Sequence, residues 1–147
     1  MACRILNFTC HIFFLPMTNI YKNVLLIDDS EADQMLARKL MQITGFAQDI
    51  CIKNTRQSAL DYLSEARQHV SEVPDIIFLD INRPAIDGLS FLHAYDDMPA
   101  DFKKKCKLVI LSSTDNRHDV EDIYTSGSVN AVLPKPLTTD SIMQLTE

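Results

Sequence analysis

The sequence predicts an α/β domain: one parallel five-stranded sheet with helices on both faces. Three observations predict it. Short apolar runs alternate with segments of helical periodicity from Lys22 onward. Several runs are apolar at consecutive positions, as expected of strands covered on both sides. The length of 147 residues, 46% hydrophobic and 23% charged, suits one domain with a real core.

The elements follow in order. Residues 24–27 are a compact apolar run ending in acids and read as a buried strand. Ser30 then offers a helix cap, with Asp33 three residues on. Ala32, Met35, Leu36, Leu40 and Ile43 fall at helical spacing, and Gly45 stands where the helix is expected to stop. Residues 50–53 read as a second strand. Residues 55–70 read as a second helix, with Ala59, Leu60, Leu63 and Ala66 on one face. Pro74 closes that connection, and residues 75–80 form a third strand, apolar on both faces. Residues 88–97 look helical through Leu89, Leu92 and Tyr95. Residues 108–111 are a fourth buried strand, 115–126 a fourth helix stopped by Gly127, 129–133 a fifth strand and 138–145 a fifth helix. Residues 68–74 and 96–107 read as long connections, which are tolerated cheaply.

Charge and cysteine usage exclude several classes. The formal net charge is −6, without the basic footprint of a nucleic-acid binder. The run Lys103-Lys104-Lys105-Cys106-Lys107 is short, has acids nearby, and reads as a solvated loop. Cys3, Cys10, Cys51 and Cys106 have no CxxC or Cys/His spacing, which argues against zinc and a disulfide framework and for a reducing, cytoplasmic setting. Residues 1–17 read as an N-terminal extension outside the fold, and 18–147 as the domain. The run Ile12-Phe13-Phe14-Leu15 is too short to span a membrane, and no small-residue cleavage site follows it.

In open parallel sheets the site lies beyond the carboxyl ends of the strands, where strand order reverses. That edge receives Asp28 and Asp29 after the first strand, Asp80 at the end of the third, Ser112, Ser113 and Thr114 after the fourth, and Lys135 between Pro134 and Pro136 after the fifth. Clustered carboxylates repel unless a cation sits among them, and an all-oxygen set suits Mg²⁺. Lys135 adds a positive charge, and Ser113 a hydroxyl donor. Phosphoryl transfer needs positioning and charge neutralisation, and an aspartate can be the nucleophile.

These stretches together resemble the response-regulator receiver domains of two-component signalling, a flavodoxin-like fold that includes the chemotaxis response regulator. The matching stretches are Val24-Leu25-Leu26-Ile27-Asp28-Asp29-Ser30, Ile77-Phe78-Leu79-Asp80-Ile81-Asn82-Arg83-Pro84-Ala85-Ile86-Asp87-Gly88, Val109-Ile110-Leu111-Ser112-Ser113 and Leu133-Pro134-Lys135-Pro136. The resemblance implies that Asp80 is the phospho-acceptor, Asp29 a direct Mg²⁺ ligand and Asp28 an acid holding the metal through water. It implies that Asn82 gives its backbone carbonyl to the metal, and that Ser113 and Lys135 bind the phosphoryl group. Ser112 and Thr114 leave the register of that hydroxyl open by one. Pro136 is expected to follow a cis bond, and Asp87-Gly88 to turn into the third helix.

The implied partners are a sensor histidine kinase or histidine phosphotransfer protein, and a downstream protein that reads the fourth helix, fifth strand and fifth helix. The resemblance is compatible with a homodimer and implies neither nucleic acid nor membrane. It implies no enzyme beyond catalysis of the domain's own phosphorylation and dephosphorylation.

Two residues depart from the family pattern. Arg83 replaces an apolar residue near the site mouth, and Val132 replaces the usual aromatic of the switch. A phosphorylation-independent binding module is the alternative function. A Mg²⁺-dependent phosphohydrolase of the Asp-x-Asp type lacks its second acid, since the chain reads Asp80-Ile81-Asn82. Neither GxGxxG nor GxxxxGK[ST] occurs.

Overall fold

A computed structural model of the chain describes residues 20–69, 72–81, 87–113, 123 and 125–146. Its elements in chain order are β1 (Tyr21–Ile27), α1 (Glu31–Ile43), β2 (Ala47–Lys53), α2 (Arg56–Ala66), β3 (Ile76–Asp80), α3 (Gly88–Asp96), α4 (Ala100–Lys105), β4 (Lys107–Ser112), β5 (Ala131–Pro134) and α5 (Thr139–Met143). A 3₁₀ turn, Gln144–Thr146, follows α5. The five strands form one sheet in the order β2-β1-β3-β4-β5. All four pairings are parallel, for example Leu25 beside Ile77 and Leu79 beside Ile110.

Alternation along the central strands divides the core into two layers. Leu25, Ile27, Ile77, Leu79, Leu108 and Ile110 pack with Ala59 and Leu63 of α2 and Phe91, Leu92 and Tyr95 of α3. Val24, Leu26, Ile76, Phe78, Val109 and Leu111 point the other way, onto Ala37 and Met41 of α1 and Ile142 of α5. Each layer has its aromatic contacts. Phe46 meets Phe78 at 5.9 Å between ring centres, and Phe91 stacks on Tyr95 at 6.2 Å.

The helix ends follow local rules. Ser30 Oγ accepts from the Asp33 N–H at the start of α1. Thr55 and Ser58 form a capping box on α2, and Thr138 and Ser141 one on α5. Gly45 ends α1 with φ 67°, while the Phe46 N–H donates to Met41 O and the Gly45 N–H to Gln42 O. That is a Schellman closure, and the left-handed residue in it favours glycine.

Several expectations need correction. Strands β1 and β2 begin three residues earlier than their apolar runs, at Tyr21 and Ala47. The ladder supplies the added pairing of Tyr21 with Ala47 and of Asn23 with Asp49. Strand β5 begins at Ala131 rather than 129, and α2 ends at Ala66 with a turn beyond it. In α1 the buried residues are Ala37 and Met41. Met35 and Ile43, expected on the core face, are each 72% exposed. Many apolar residues on one helix satisfy more than one stripe, and the sheet selects which stripe is covered. In α3, Phe91 is buried and Leu89 is exposed.

The expected loop at 96–107 contains helix α4. Phe102 anchors it in the core against Tyr95, and Lys103 Nζ donates to Asp96 O at 2.9 Å. Lys103, Lys104 and Lys105 occupy its last turn, where the helix dipole favours cations. Of the helix expected at 115–126, Ile123 and Thr125 are helical and most of the rest lies outside the described residues. The expected extension 1–17 also lies outside them. Among the described residues no helix is long and apolar enough to cross a membrane.

Cys106 is buried where β4 begins, and burial pushes its thiol up to about 12. Raised from 9.0, this group contributes stability that is intact below about pH 9 and is lost as pH rises towards 12. A thiol-alkylating reagent at neutral pH is therefore expected to label Cys106 only after denaturation. Rapid labelling of Cys106 in the native protein would contradict this burial.

Candidate functional site

Strand order reverses between β1 and β3, so the chain leaves a crevice beyond their carboxyl ends. Asp28 follows β1 directly and Asp80 is the last residue of β3; both are buried. Ser112 ends β4 and Ser113 follows it, half-buried. Lys135 follows β5, and its backbone N–H donates to Ser112 O at 3.0 Å. The Lys135–Pro136 bond is cis, as expected.

The amine of Lys135 is the hub. Its Nζ lies 2.6 Å from Asp80 Oδ2, 2.8 Å from Asp33 Oδ2 and 3.3 Å from Asp28 Oδ2. The carboxylates of Asp28, Asp33 and Asp80 present oxygens within 4.8 Å of one another. Asp28 Oδ1 accepts from the Ser30 N–H at 2.9 Å. Gln34 Nε2 donates to Asp28 O at 2.6 Å and to Asn54 Oδ1 at 2.8 Å, which ties the first loop to the second.

Electrostatics follow from this crowding. Burial raises the Asp28 carboxyl above its usual range; the Ser30 N–H and Lys135 oppose that rise, and the neighbouring Asp80 adds to it. Burial also works against the charge of Lys135. Hydrogen bonds to Asp33 and Asp80, with the charges of Asp80 and Asp28, outweigh it and hold the amine above the usual lysine range. The ammonium form therefore persists at neutral pH.

Asp29 stands beside Asp28 with Oδ1 buried, but its carboxylate is not one of the three gathered around Lys135. Asn82, Arg83 and Thr114 lie outside the described residues. Val132 is half-buried, against the layer that holds α2 and α3. Asp33 is the site residue that sequence reasoning did not assign. Its place in the first turn of α1 reads as helix-start chemistry, and only the fold brings it to a lysine 102 positions away. The signal available was its spacing, one helical turn beyond Asp29.

Asp87, whose φ is 46°, caps α3 by accepting from the Ser90 N–H and hydroxyl. Gly88 then packs on Ile81, the residue that follows Asp80. A Cβ at 88 would stand 2.7 Å from Ile81 Cγ2 and 3.0 Å from Ile81 Cα. Gly88→Ala is expected to cost about 1–3 kcal/mol of stability, because the contact includes backbone. Urea unfolding of the variant measures it, and an unchanged midpoint would refute the contact.

An oxygen-rich cluster with two buried carboxylates fits a hard divalent cation, which would relieve their repulsion. The donor set the resemblance implies is Asp28, Asp29, Asp80 and the backbone carbonyl of Asn82, the last outside the described residues. Asp33 adds a further acid next to it.

Comparison with known proteins agrees with this architecture. The family model for the response regulator receiver domain matches residues 24–147. The chain is 29% identical over 119 residues to response regulator Rcp1 of Synechocystis sp., covering 80% of this chain and 79% of Rcp1. It is 28% identical over 119 residues to the probable chemotaxis protein CheY of Rhizobium etli, covering 81% of this chain and 84% of that protein. Among solved structures, a two-component response regulator from Cytophaga hutchinsonii superposes with a TM-score of 0.77 at 27% identity, covering 85% of this chain and 93% of that one. The Mn(2+)-bound form of Rcp1 superposes with a TM-score of 0.66 at 26% identity, covering 85% of this chain and 88% of that one. With five parallel strands in the order β2-β1-β3-β4-β5 and the acids and lysine at their carboxyl ends, the chain belongs to the response regulator receiver domain family of two-component signalling.

Proposed function

We propose that this domain accepts a phosphoryl group on Asp80 from a phosphohistidine of a sensor kinase or phosphotransfer protein, with Mg²⁺ bound by the neighbouring acids. The observation that carries the proposal is the 2.6 Å approach of Lys135 Nζ to Asp80 Oδ2 in a buried pocket of carboxylates. One Asp80 oxygen forms the new P–O bond while the donor P–N bond breaks and the imidazole leaves with the electron pair. Asp28, Asp29, Asp80 and the Asn82 carbonyl are the residues to hold Mg²⁺. When bound, the ion neutralises charge on the phosphoryl oxygens. Lys135 supplies a fixed positive charge at the acceptor, and Ser113 is the hydroxyl to donate to the incoming group. Catalysis is confined to the domain's own phosphorylation and dephosphorylation.

The added group carries about −1.5 to −2 charges at neutral pH. Moving a two-state population from about 1:99 to 99:1 needs roughly 5.5 kcal/mol of differential binding. One charge-assisted hydrogen bond supplies only about 1.5–3 kcal/mol. Ser113 alone is therefore too weak a lever, and the Lys135 interaction must contribute. By resemblance to the family, the output face, where a downstream protein or a second copy docks, comprises β5, α5 and the fourth helix expected at 115–126, most of which lies outside the described residues.

The test is incubation with Mg²⁺ and a small phospho-donor such as acetyl phosphate. A mass gain of one phosphoryl group, lost on treatment with hydroxylamine, is expected of an acyl phosphate. No gain with either acetyl phosphate or a phosphohistidine protein would overturn the proposal.

A further inference from the structure

Lys135 has three N–H donors, and the structure offers them three carboxylates. Two of these, on Asp28 and Asp80, stand at strand ends, and all three carboxylates lie close enough together to share a divalent cation. Asp33 comes instead from the first turn of α1, and its 2.8 Å bond to the amine is shorter than that of Asp28 at 3.3 Å.

Its position is fixed by a closed ring of hydrogen bonds. The Ser30 N–H donates to Asp28 Oδ1, and the Asp33 N–H donates to Ser30 Oγ. Lys135 Nζ donates to Asp33 Oδ2 and to Asp28 Oδ2, which closes the ring. The start of α1 is thus locked to the lysine that faces Asp80. An acid in a first helical turn is ordinarily explained by the helix dipole alone. That explanation does not require its carboxylate to face a lysine whose side chain is only 14% exposed.

We propose that Asp33 is the positioning residue of Lys135, holding the amine beside Asp80 so that its charge is in place when the phosphoryl group arrives. The proposal deepens the phospho-acceptor reading and rests on it. Lysine is a flexible point charge. A second acceptor, held on the first turn of α1 rather than at a strand end, keeps it from following whichever charge is nearest. Asp33 touches neither the donor nor the new bond; it acts through Lys135.

A double-mutant cycle separates this role from a structural one. Wild type, Asp33→Asn, Lys135→Met and the double variant are compared in two measurements. One is the initial rate of phosphoryl uptake from acetyl phosphate with Mg²⁺. The other is the melting temperature of the metal-free protein. Asp33→Asn is expected to slow uptake about tenfold in wild type and less than about twofold in the Lys135→Met background. It should lower the melting temperature in wild type but raise it in Lys135→Met, where only acid repulsion remains to be relieved.

Asp33→Glu, which keeps the charge, should recover most of the rate, and Asp33→Ser replaces Asp33→Asn in the cycle should the latter not fold. An Asp33→Asn effect on rate that persists undiminished in Lys135→Met overturns the proposal, as does an equal melting shift in both backgrounds. If wild type takes up no phosphoryl group, the phospho-acceptor reading fails separately. The melting cycle still decides whether Asp33 holds Lys135.

Discussion

Asp80→Asn is expected to reduce phosphoryl uptake from the full wild-type level to nothing detectable. The substitution is nearly isosteric but removes the anionic oxygen that forms the acyl phosphate. Folding should survive, because Lys135 retains Asp33 at 2.8 Å and Asp28 at 3.3 Å. Metal-free Asp80→Asn should melt close to wild type, since the loss of its 2.6 Å ion pair to Lys135 is offset by relief of its repulsion with the buried Asp28 carboxylate. Mass spectrometry after incubation with acetyl phosphate and Mg²⁺ checks the first point, and a thermal melt the second. A variant that still gains a hydroxylamine-labile phosphoryl group at a comparable rate would move the acceptor to another acid.

Lys135→Met carries the largest stability effect expected at the site. The Asp80 side chain is fully buried and that of Asp28 nearly so, and the amine is their shared cation. Removing one partner of a buried ion pair typically costs about 3–5 kcal/mol, because the remaining charge keeps its desolvation cost. Two conditions should relieve the loss. Millimolar Mg²⁺ supplies a replacement cation and should restore much of the stability, whereas the same ionic strength of NaCl should not. Lower pH should also help. An acid whose folded pKa is raised, as for Asp28, loses stability as pH rises through that value and regains it as pH falls. Urea unfolding at pH 7.5 and pH 5, with and without Mg²⁺, measures all three effects. A Lys135→Met protein as stable as wild type at pH 7.5 without Mg²⁺ would show that the amine does not stabilise these acids.

The two variants separate chemistry from electrostatics. Asp80→Asn abolishes the reaction and spares the fold, while Lys135→Met stresses the fold through the same three acids. The Asp33 cycle then asks how the amine is kept in place.

Much of the architecture was legible in the residues. The runs 24–27, 76–79 and 108–111 are apolar at consecutive positions, as expected of a doubly covered strand, and β1, β3 and β4 are the three inner strands. The cap at Ser30 and the stop at Gly45 are local signals with local causes, and both stand in the structure. Asp28 and Asp80 were legible because each ends or follows such a run, and Lys135 because it follows the fifth strand, so placing the strands placed the acids and the lysine on one edge.

What the sequence determined by itself is what neighbouring residues decide: strand cores, helix ends, and the edge that receives Asp28, Asp80 and Lys135. What only the tertiary structure decided depends on residues far apart in the chain. Periodicity could not say that α1 buries Ala37 and Met41 and exposes Met35 and Ile43, because a helix rich in apolar residues carries more than one stripe and the sheet chooses between them. Helix α4 was read as loop because its charged last turn outweighs Phe102 locally; in the fold Phe102 packs on Tyr95 and brings the segment in. Asp33 has the same explanation. Its neighbours in sequence make it a helix-start acid, and it becomes a partner of Lys135 only once the fold brings the first turn of α1 to the residue that follows β5, since a carboxylate and an amine pair by distance in space.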